Sequence, residues 1–261
     1  MESLLIPIVV FFIALVFSMF GMGGGLLYMP VFLFFLKNHA DASFLSFLCI
    51  FVTALSATSV YYRKGLIDGR LVKYLGTPLI AVVFVAGFLS KNAPNAVLRD
   101  LLGVTLVLAG IFMVSSVKEI FSFQRVGQHL NRLFPDKEHH FSPIVLTPII
   151  LLIGFLSGMS GVAGGVFEIP IMIGLLRTSA HTAVATSSAI VTMVALSGAL
   201  GRLISNDQEA AFSLPLVMCI VFVALLGGQL GPNISTKLGK EVFKRICGVF
   251  VLLMGIYFVV M

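Results

Sequence analysis

The feature that most constrains this chain is the spacing of its charges. They gather in short clusters, and the apolar stretches between them fall at about 4–20, 44–62, 74–90, 101–117, 141–157, 182–201, 211–230 and 246–261. A helix needs roughly 20 apolar residues to cross a bilayer, and these eight runs are long enough. Two further runs, 26–36 and 166–176, reach only about half way at 1.5 Å per residue. A soluble domain of this size would scatter charges at helical period along amphipathic helices. No such period is present, and only 11% of residues are charged against about a quarter in an average soluble domain. The pattern predicts an all-α integral membrane protein. Of the eleven acidic residues, only Glu168 sits well inside an apolar run.

Several function classes lose support at once. The net charge is +6, but the basic residues lie between apolar runs and form no stripe with interleaved aromatics, so nucleic acid is not an expected partner. Cys49, Cys219 and Cys247 all lie in apolar runs without a CxxC pair, which points to neither a disulfide framework nor a metal site; they read as small core hydrophobes. No His, Ser, Asp or Cys spacing suggests catalysis, and no cofactor motif is present, so an enzyme is not expected. The opening residues lack the basic region of a cleaved signal peptide and read as mature sequence.

The chain repeats itself. Gly21-Met-Gly-Gly-Gly-Leu-Leu-Tyr-Met-Pro30 matches Gly161-Val-Ala-Gly-Gly-Val-Phe-Glu-Ile-Pro170 at an offset of 140, and Leu45-Ser46 with Leu55-Ser56-Ala57 matches Thr186-Ser187 with Leu196-Ser197-Gly198 at 141. This divides the chain into a first transmembrane repeat at 1–125, a loop linker at 126–139 and a second transmembrane repeat at 140–261.

The Lys and Arg count on each face separates two topologies, because cytoplasmic loops are enriched in both. If each glycine motif only kinks a continuous span, eight crossings divide the seventeen basic residues nine to eight. If 4–36 and 144–176 are instead hairpins that return to the face they left, thirteen gather on one side and only Lys37, Lys91, Arg99 and Arg202 remain on the other. The second arrangement is preferred, with both termini outside the cytoplasm. Each repeat is then a glycine-tipped re-entrant helical hairpin plus three transmembrane helices. That odd number inverts the second repeat relative to the first, as in alternating-access transporters. Whether 4–20 spans fully stays open.

Three glycines in a row at a helix break leave amide N–H groups without intrahelical partners, and within a bilayer such donors must be satisfied. An anion at the start of each half-helix would satisfy them. Gly21, Gly23, Gly24, Gly25, Gly161, Gly164 and Gly165 are therefore candidate binding residues for a small anion. Packing of the GxxxG kind is the competing reading. Pro30 and Pro170 are expected to set the tilt of the half-helices.

Glu168 stands where the first repeat has Tyr28. An ionisable side chain inside a bilayer is a functional candidate by default, and Glu168 is the proton-coupling candidate. The alternatives are a neutral, hydrogen-bonded packing role or a place near the membrane surface. Hydroxyl residues follow each hairpin: Ser46, Thr53, Ser56, Thr58 and Ser59, then Thr186, Ser187, Ser188, Thr192 and Ser197. The repeat-matched Ser46 and Ser187 are the preferred substrate-binding pair among them. Asp41, Asp68, Asp207 and Glu209 are read as solvated loop charges, and His39 and His181 as solvated histidines just before a span. No buried Arg or Lys is expected.

On these motifs the chain resembles the TauE/SafE sulfite exporter family of membrane transporters, which shares the size, the two-half construction and a G-x-G-G-G-x-x-x-x-P motif in each half. The first motif matches fully; the second has Ala163 where a glycine is usual. The resemblance implies secondary transport of small sulfur-containing anions such as sulfite or organosulfonates, proton-linked, in a bacterial inner membrane. Another small anion such as a carboxylate, moved by a transporter or a channel, is the alternative. Distant thiosulfate-uptake relatives use cysteines near the hairpin tips; neither motif here contains one, so a thiol relay is not expected.

Overall fold

A computed structural model describes residues 2–114, 143–174, 176, 178–205, 214–234 and 240–260. The expected linker, Asp207, Glu209 and the basic residues Lys118, Arg125, Arg132, Lys137, Arg177 and Lys237 lie outside the described residues. Among the described residues all regular structure is helical. The helices are α1 (Glu2–Met19), α2 (Gly25–Leu36), α3 (His39–Arg63), α4 (Gly69–Leu89), α5 (Asn95–Val114), α6 (Pro143–Ser160), α7 (Gly165–Gly174), α8 (Ala180–Ser205), α9 (Leu214–Ile234) and α10 (Lys240–Val260), with a 3-10 turn at Ser90–Asn92. Five of the described helices, α3, α4, α5, α8 and α9, are long and apolar enough to cross a membrane. The glycine clusters break the chain where the sequence predicts, between α1 and α2 and between α6 and α7.

Short polar signals start the helices. Asn38 accepts from the Ala40 amide at the head of α3, and Asp68 accepts from the Arg70 and Leu71 amides at the head of α4. Such caps satisfy donors that the first helical turn leaves orphaned. Asp68 is thus a partly exposed loop charge that also caps α4. The expectation for Asp41 and His39 fails. Both belong to the first turn of α3 and are buried, 1% and 3% exposed, because α3 begins several residues before its apolar run. Asp41 accepts from the Asn38 side chain. His181, in contrast, is exposed.

The two helices that carry the hydroxyl residues, α3 and α8, pack against each other. Around them the contacts fall into repeat-matched sets that cross between the halves. Helix α1 lies on α9 and α6 on α4, while α9 also packs on α3 and α4 on α8. The limbs of each glycine-tipped segment part at the tip: α2 packs on α3 and α7 on α8, rather than back along α1 and α6. Each limb thereby covers its apolar surface with a different neighbour.

The outer pair, α5 and α10, meets through glycines. A Cβ on Gly110 would stand 2.8 Å from Leu252 Cα, and one on Gly248 2.7 Å from Met113 Cβ. Small residues let backbones approach where lipid supplies no hydrophobic drive between helices. Among the cysteines, Cys49 is buried and Cys247 half-buried, but Cys219 is exposed on the outside of the helix assembly. The core reading therefore fails for Cys219.

Candidate functional site

The two glycine motifs, 140 residues apart in sequence, meet in the interior. A Cβ on Gly25 would lie 2.9 Å from the Ala163 amide nitrogen, and one on Gly165 3.2 Å from Met22 Cα. Flanking contacts are matched in the same way. Gly161 abuts Ser43, with a virtual Cβ 2.7 Å from the Ser43 Cβ, and Gly21 abuts the backbone of Val184, the residue 141 positions after Ser43. Ile50 presses on Gly25 and Val191, its repeat partner, on Gly165, at 2.7 and 2.8 Å from the respective virtual Cβ atoms. At these positions glycine serves close approach. Gly24 serves conformation, since it precedes α2 at φ 87°, a left-handed region costly for any residue with a Cβ.

The breaks leave donors behind. Met22 and Gly21 donate back into α1, and Val162 and Gly161 into α6; on the far side the amides of Leu27, Tyr28, Phe167 and Glu168 return to Gly24 or Gly164. Among the described residues, none accepts from the amides of Gly23, Gly24, Gly25 and Leu26 or from those of their repeat partners Ala163, Gly164, Gly165 and Val166. All eight residues are buried. The first helix has no side-chain cap at Gly24. Two helix N-termini with unpaired amides thus stand close together, each carrying partial positive charge.

The preferred serines sit at this meeting point, but their hydroxyls are engaged. Ser46 donates to the Gly161 carbonyl at 2.9 Å, reaching across to the opposite motif. Ser187 donates to Glu168 Oε2 at 3.0 Å, with the Gly165 carbonyl at 3.4 Å. The symmetry breaks here because the second repeat has a carboxylate where the first has Tyr28, whose hydroxyl pairs with Thr53 at 2.9 Å. Glu168 is buried, 3% exposed, in the first turn of α7. Its Oε1 has no hydrogen-bond partner among the described residues, and the side chain borders a small apolar cavity with Leu75, Leu79, Ile150, Ile153 and Ile171.

Most other hydroxyls link helices. Ser56 donates to the Leu225 carbonyl, Ser197 to the Ile80 carbonyl, and Thr58 pairs with Thr192 across the α3–α8 contact. Ser188 is buried and its hydroxyl has no hydrogen-bond partner among the described residues.

Arg202 corrects the expectation that no cation is buried. It lies in the last turn of α8, 3% exposed, and donates to the Met159 carbonyl at 2.9 Å and the Gly158 carbonyl at 3.4 Å, where α6 ends at the glycine break. Tyr61, its repeat partner at offset 141, donates to the Ser18 carbonyl at 3.2 Å at the matching end of α1. The hydropathy boundary at 201 hid Arg202; the offset to Tyr61, inside an apolar run, is the signal that would have found it. Both side chains cover carbonyls that a broken helix leaves open. Arg202→Leu is expected to destabilise the protein by about 1–3 kcal/mol, the cost of uncovering buried carbonyls, and Tyr61→Phe by about 1 kcal/mol. Denaturant unfolding in detergent checks the order of the two, and equal losses would refute it.

Buried helix breaks set among apolar helices long enough to span define a multi-pass, all-helical membrane protein, and the comparisons with known proteins make it a membrane transporter. The family follows from comparison: the sulfite exporter TauE/SafE family model matches residues 6–258, and the chain belongs to that family. It is similar to a probable membrane transporter protein of Methanocaldococcus jannaschii, at 23% identity over 97% of this chain and 95% of the relative. A probable membrane transporter protein of Bacillus subtilis, YunE, is 25% identical over 91% of this chain and 90% of its own length. One from Haemophilus influenzae is 22% identical over 92% and 91%. No solved structure matches the chain.

Proposed function

We propose that this membrane transporter carries small sulfur-containing anions, sulfite or organosulfonates, as a proton-coupled secondary transporter of a bacterial inner membrane, with both termini outside the cytoplasm. Its two halves are inverted repeats, and the substrate binds near the midplane between the two glycine-tipped re-entrant segments. The observation that carries the reading is the set of eight buried, repeat-matched amides without acceptors among the described residues. An oxyanion supplies several acceptor oxygens to such donors, and two opposed helix N-termini stabilise its charge without a cationic side chain at the tips. Gly21, Gly23, Gly24, Gly25, Gly161, Gly164 and Gly165 form the cradle. Ser46 and Ser187 contribute hydroxyls once they turn from Gly161 and Glu168.

Burial of both tips supports alternating access over an open pore, since an anion held there is closed off from either face. Glu168 fits the coupling role. It is an acidic side chain beside the tips whose Oε2 is held by Ser187 while Oε1 is left open, so movement of Ser187 toward substrate changes what the carboxyl group touches. The family description, sulfite exporter, supports the substrate class.

Purified protein in proteoliposomes, offered sulfite, a short alkyl sulfonate, sulfate and acetate with and without a pH gradient, tests this. Sulfite or sulfonate accumulation driven by the gradient is expected. Acetate movement alone would replace the substrate class, and no movement of any anion would end the reading.

A further inference from the structure

Away from the glycine tips, two hollows adjoin on the outside of the helix assembly, between α2, α5 and α10. The first, about 400 Å³, is lined by Lys37 at the end of α2, His39 at the start of α3, and Asn95, Ala96 and Arg99 from the first turn and a half of α5. None of its lining residues is acidic. The second, about 460 Å³, is an apolar trough that includes Val9, Pro30, Val31 and Met254. Phe34, Tyr257 and Phe258 line both, so the hollows form one groove with a cationic end and an apolar end. Phe34 is 72% exposed within it.

Three observations converge at the cationic end. Lys37 and Arg99 bring two positive charges to one hollow, although the face to which the charge count assigns them holds few basic residues. The N-terminal turn of α5 adds amide donors and a positive dipole end. Finally, His39 borders the hollow and is buried; the Leu98 backbone and the Arg202 guanidinium lie close to it, and neither ring nitrogen makes a well-formed hydrogen bond among the described residues. A buried imidazole so loosely held can take a polar ligand.

The direction of the trough supplies the rest. Pro30 lies seven residues before Lys37, so the apolar end sits about 10 Å along the α2 axis from the cationic end, toward the glycine tip at the start of the helix. Helix-end lysine and arginine side chains gather at headgroup level, and anionic lipids are drawn to them. A ligand that fills the groove therefore has an anionic group at the surface and a hydrocarbon chain running inward.

We infer that this groove between α2, α5 and α10 holds one anionic phospholipid, its phosphate on Lys37, Arg99, His39 and the α5 N-terminus and an acyl chain in the trough. The site is separate from the glycine tips and does not depend on which anion is carried.

Native mass spectrometry of the detergent-purified protein, titrated with phosphatidylglycerol, phosphatidylcholine and inorganic phosphate, tests the assignment. One phosphatidylglycerol bound at least about tenfold more tightly than phosphatidylcholine is expected. Lys37→Gln/Arg99→Gln removes that preference and Lys37→Arg keeps it, while Val31→Trp, which fills the trough, weakens lipid binding of either headgroup. Circular dichroism and size-exclusion profiles select the folded variants for comparison. Equal binding of the two lipids, or a preference that survives the double glutamine variant, overturns the site. Equal occupancy by inorganic phosphate at the same concentration shows a free-anion site and overturns the lipid assignment, as does displacement of phosphatidylglycerol by a short alkyl sulfonate at equimolar concentration.

Discussion

Gly25→Ala and Gly165→Ala are expected to abolish anion transport while leaving a folded, helical protein. Neither glycine has a positive φ, so alanine fits both backbones and the change tests space alone. At Gly25 the new methyl would sit 2.9 Å from the Ala163 nitrogen and 2.7 Å from Ile50 Cδ1; at Gly165 it would sit 2.8 Å from Val191 Cγ2 and 3.2 Å from Met22 Cα. The aliphatic side chains can yield a few tenths of an ångström, but the backbone of the opposite tip moves only if the two motifs separate. Separation misaligns the two sets of amides that the proposed cradle requires together. A shift near 1 Å in a positioned site costs about 100-fold in a reacting geometry, and a comparable fall in flux is expected here. Gly69→Ala is the control. It begins α4 with nothing within 4 Å of the added methyl, and flux should stay at the wild-type level. Gly24→Ala is a poorer probe, because its φ of 87° adds backbone strain to contact with Tyr28. Wild-type flux from folded Gly25→Ala protein would remove the tips from the binding site.

The second large effect is expected from Glu168→Gln. The amide oxygen can still accept from Ser187, so the helix start and the α7–α8 contact are preserved. The side chain loses its ability to gain and release a proton. Under the coupling proposal, accumulation against a gradient driven by pH should disappear, whereas exchange of labelled for unlabelled anion at equal concentrations should persist. Counter-flow and pH-jump uptake measured on the same liposomes separate the two. Unchanged pH-driven accumulation would assign Glu168 to packing. Loss of both activities in a stable protein would instead make it part of the anion path.

Much of the architecture was legible before any tertiary contact was known, and for local reasons. Bilayer-length apolar runs report helices because the backbone must satisfy its own hydrogen bonds in lipid. The contiguous glycines report helix breaks because they sit inside such runs, and the helices break there. Internal self-similarity marked equivalent positions, and the offset near 140 recurs in matched contacts: Gly21 meets Val184 as Gly161 meets Ser43, Ile50 meets Gly25 as Val191 meets Gly165, and Tyr61 caps α1 as Arg202 caps α6. Glu168 stood out because a carboxylate in an apolar run is rare.

The misreadings have equally local causes. Asp41, His39 and Arg202 lie at the edges of apolar runs, where hydropathy cannot distinguish a loop from the end of a packed helix. What buries them is the neighbour. Arg202 is enclosed because the broken end of α6 offers it the Gly158 and Met159 carbonyls. Ser46 and Ser187 look alike in sequence but part in space, since only the second repeat offers a carboxylate within reach. The groove at Lys37 and Arg99 joins residues from distant parts of the chain and has no signature along it.

By itself, then, the sequence determined that the chain is helical and membrane-embedded, that it is duplicated, and that each half carries a helix broken at three or so small residues; hydropathy, repeat and glycine chemistry act over one turn or one helix. The tertiary structure alone decided that the two breaks face each other, that their limbs part onto different neighbours, and which polar groups end without partners among the described residues. Those outcomes depend on which surfaces meet across about 140 residues of chain, and close packing settles them collectively.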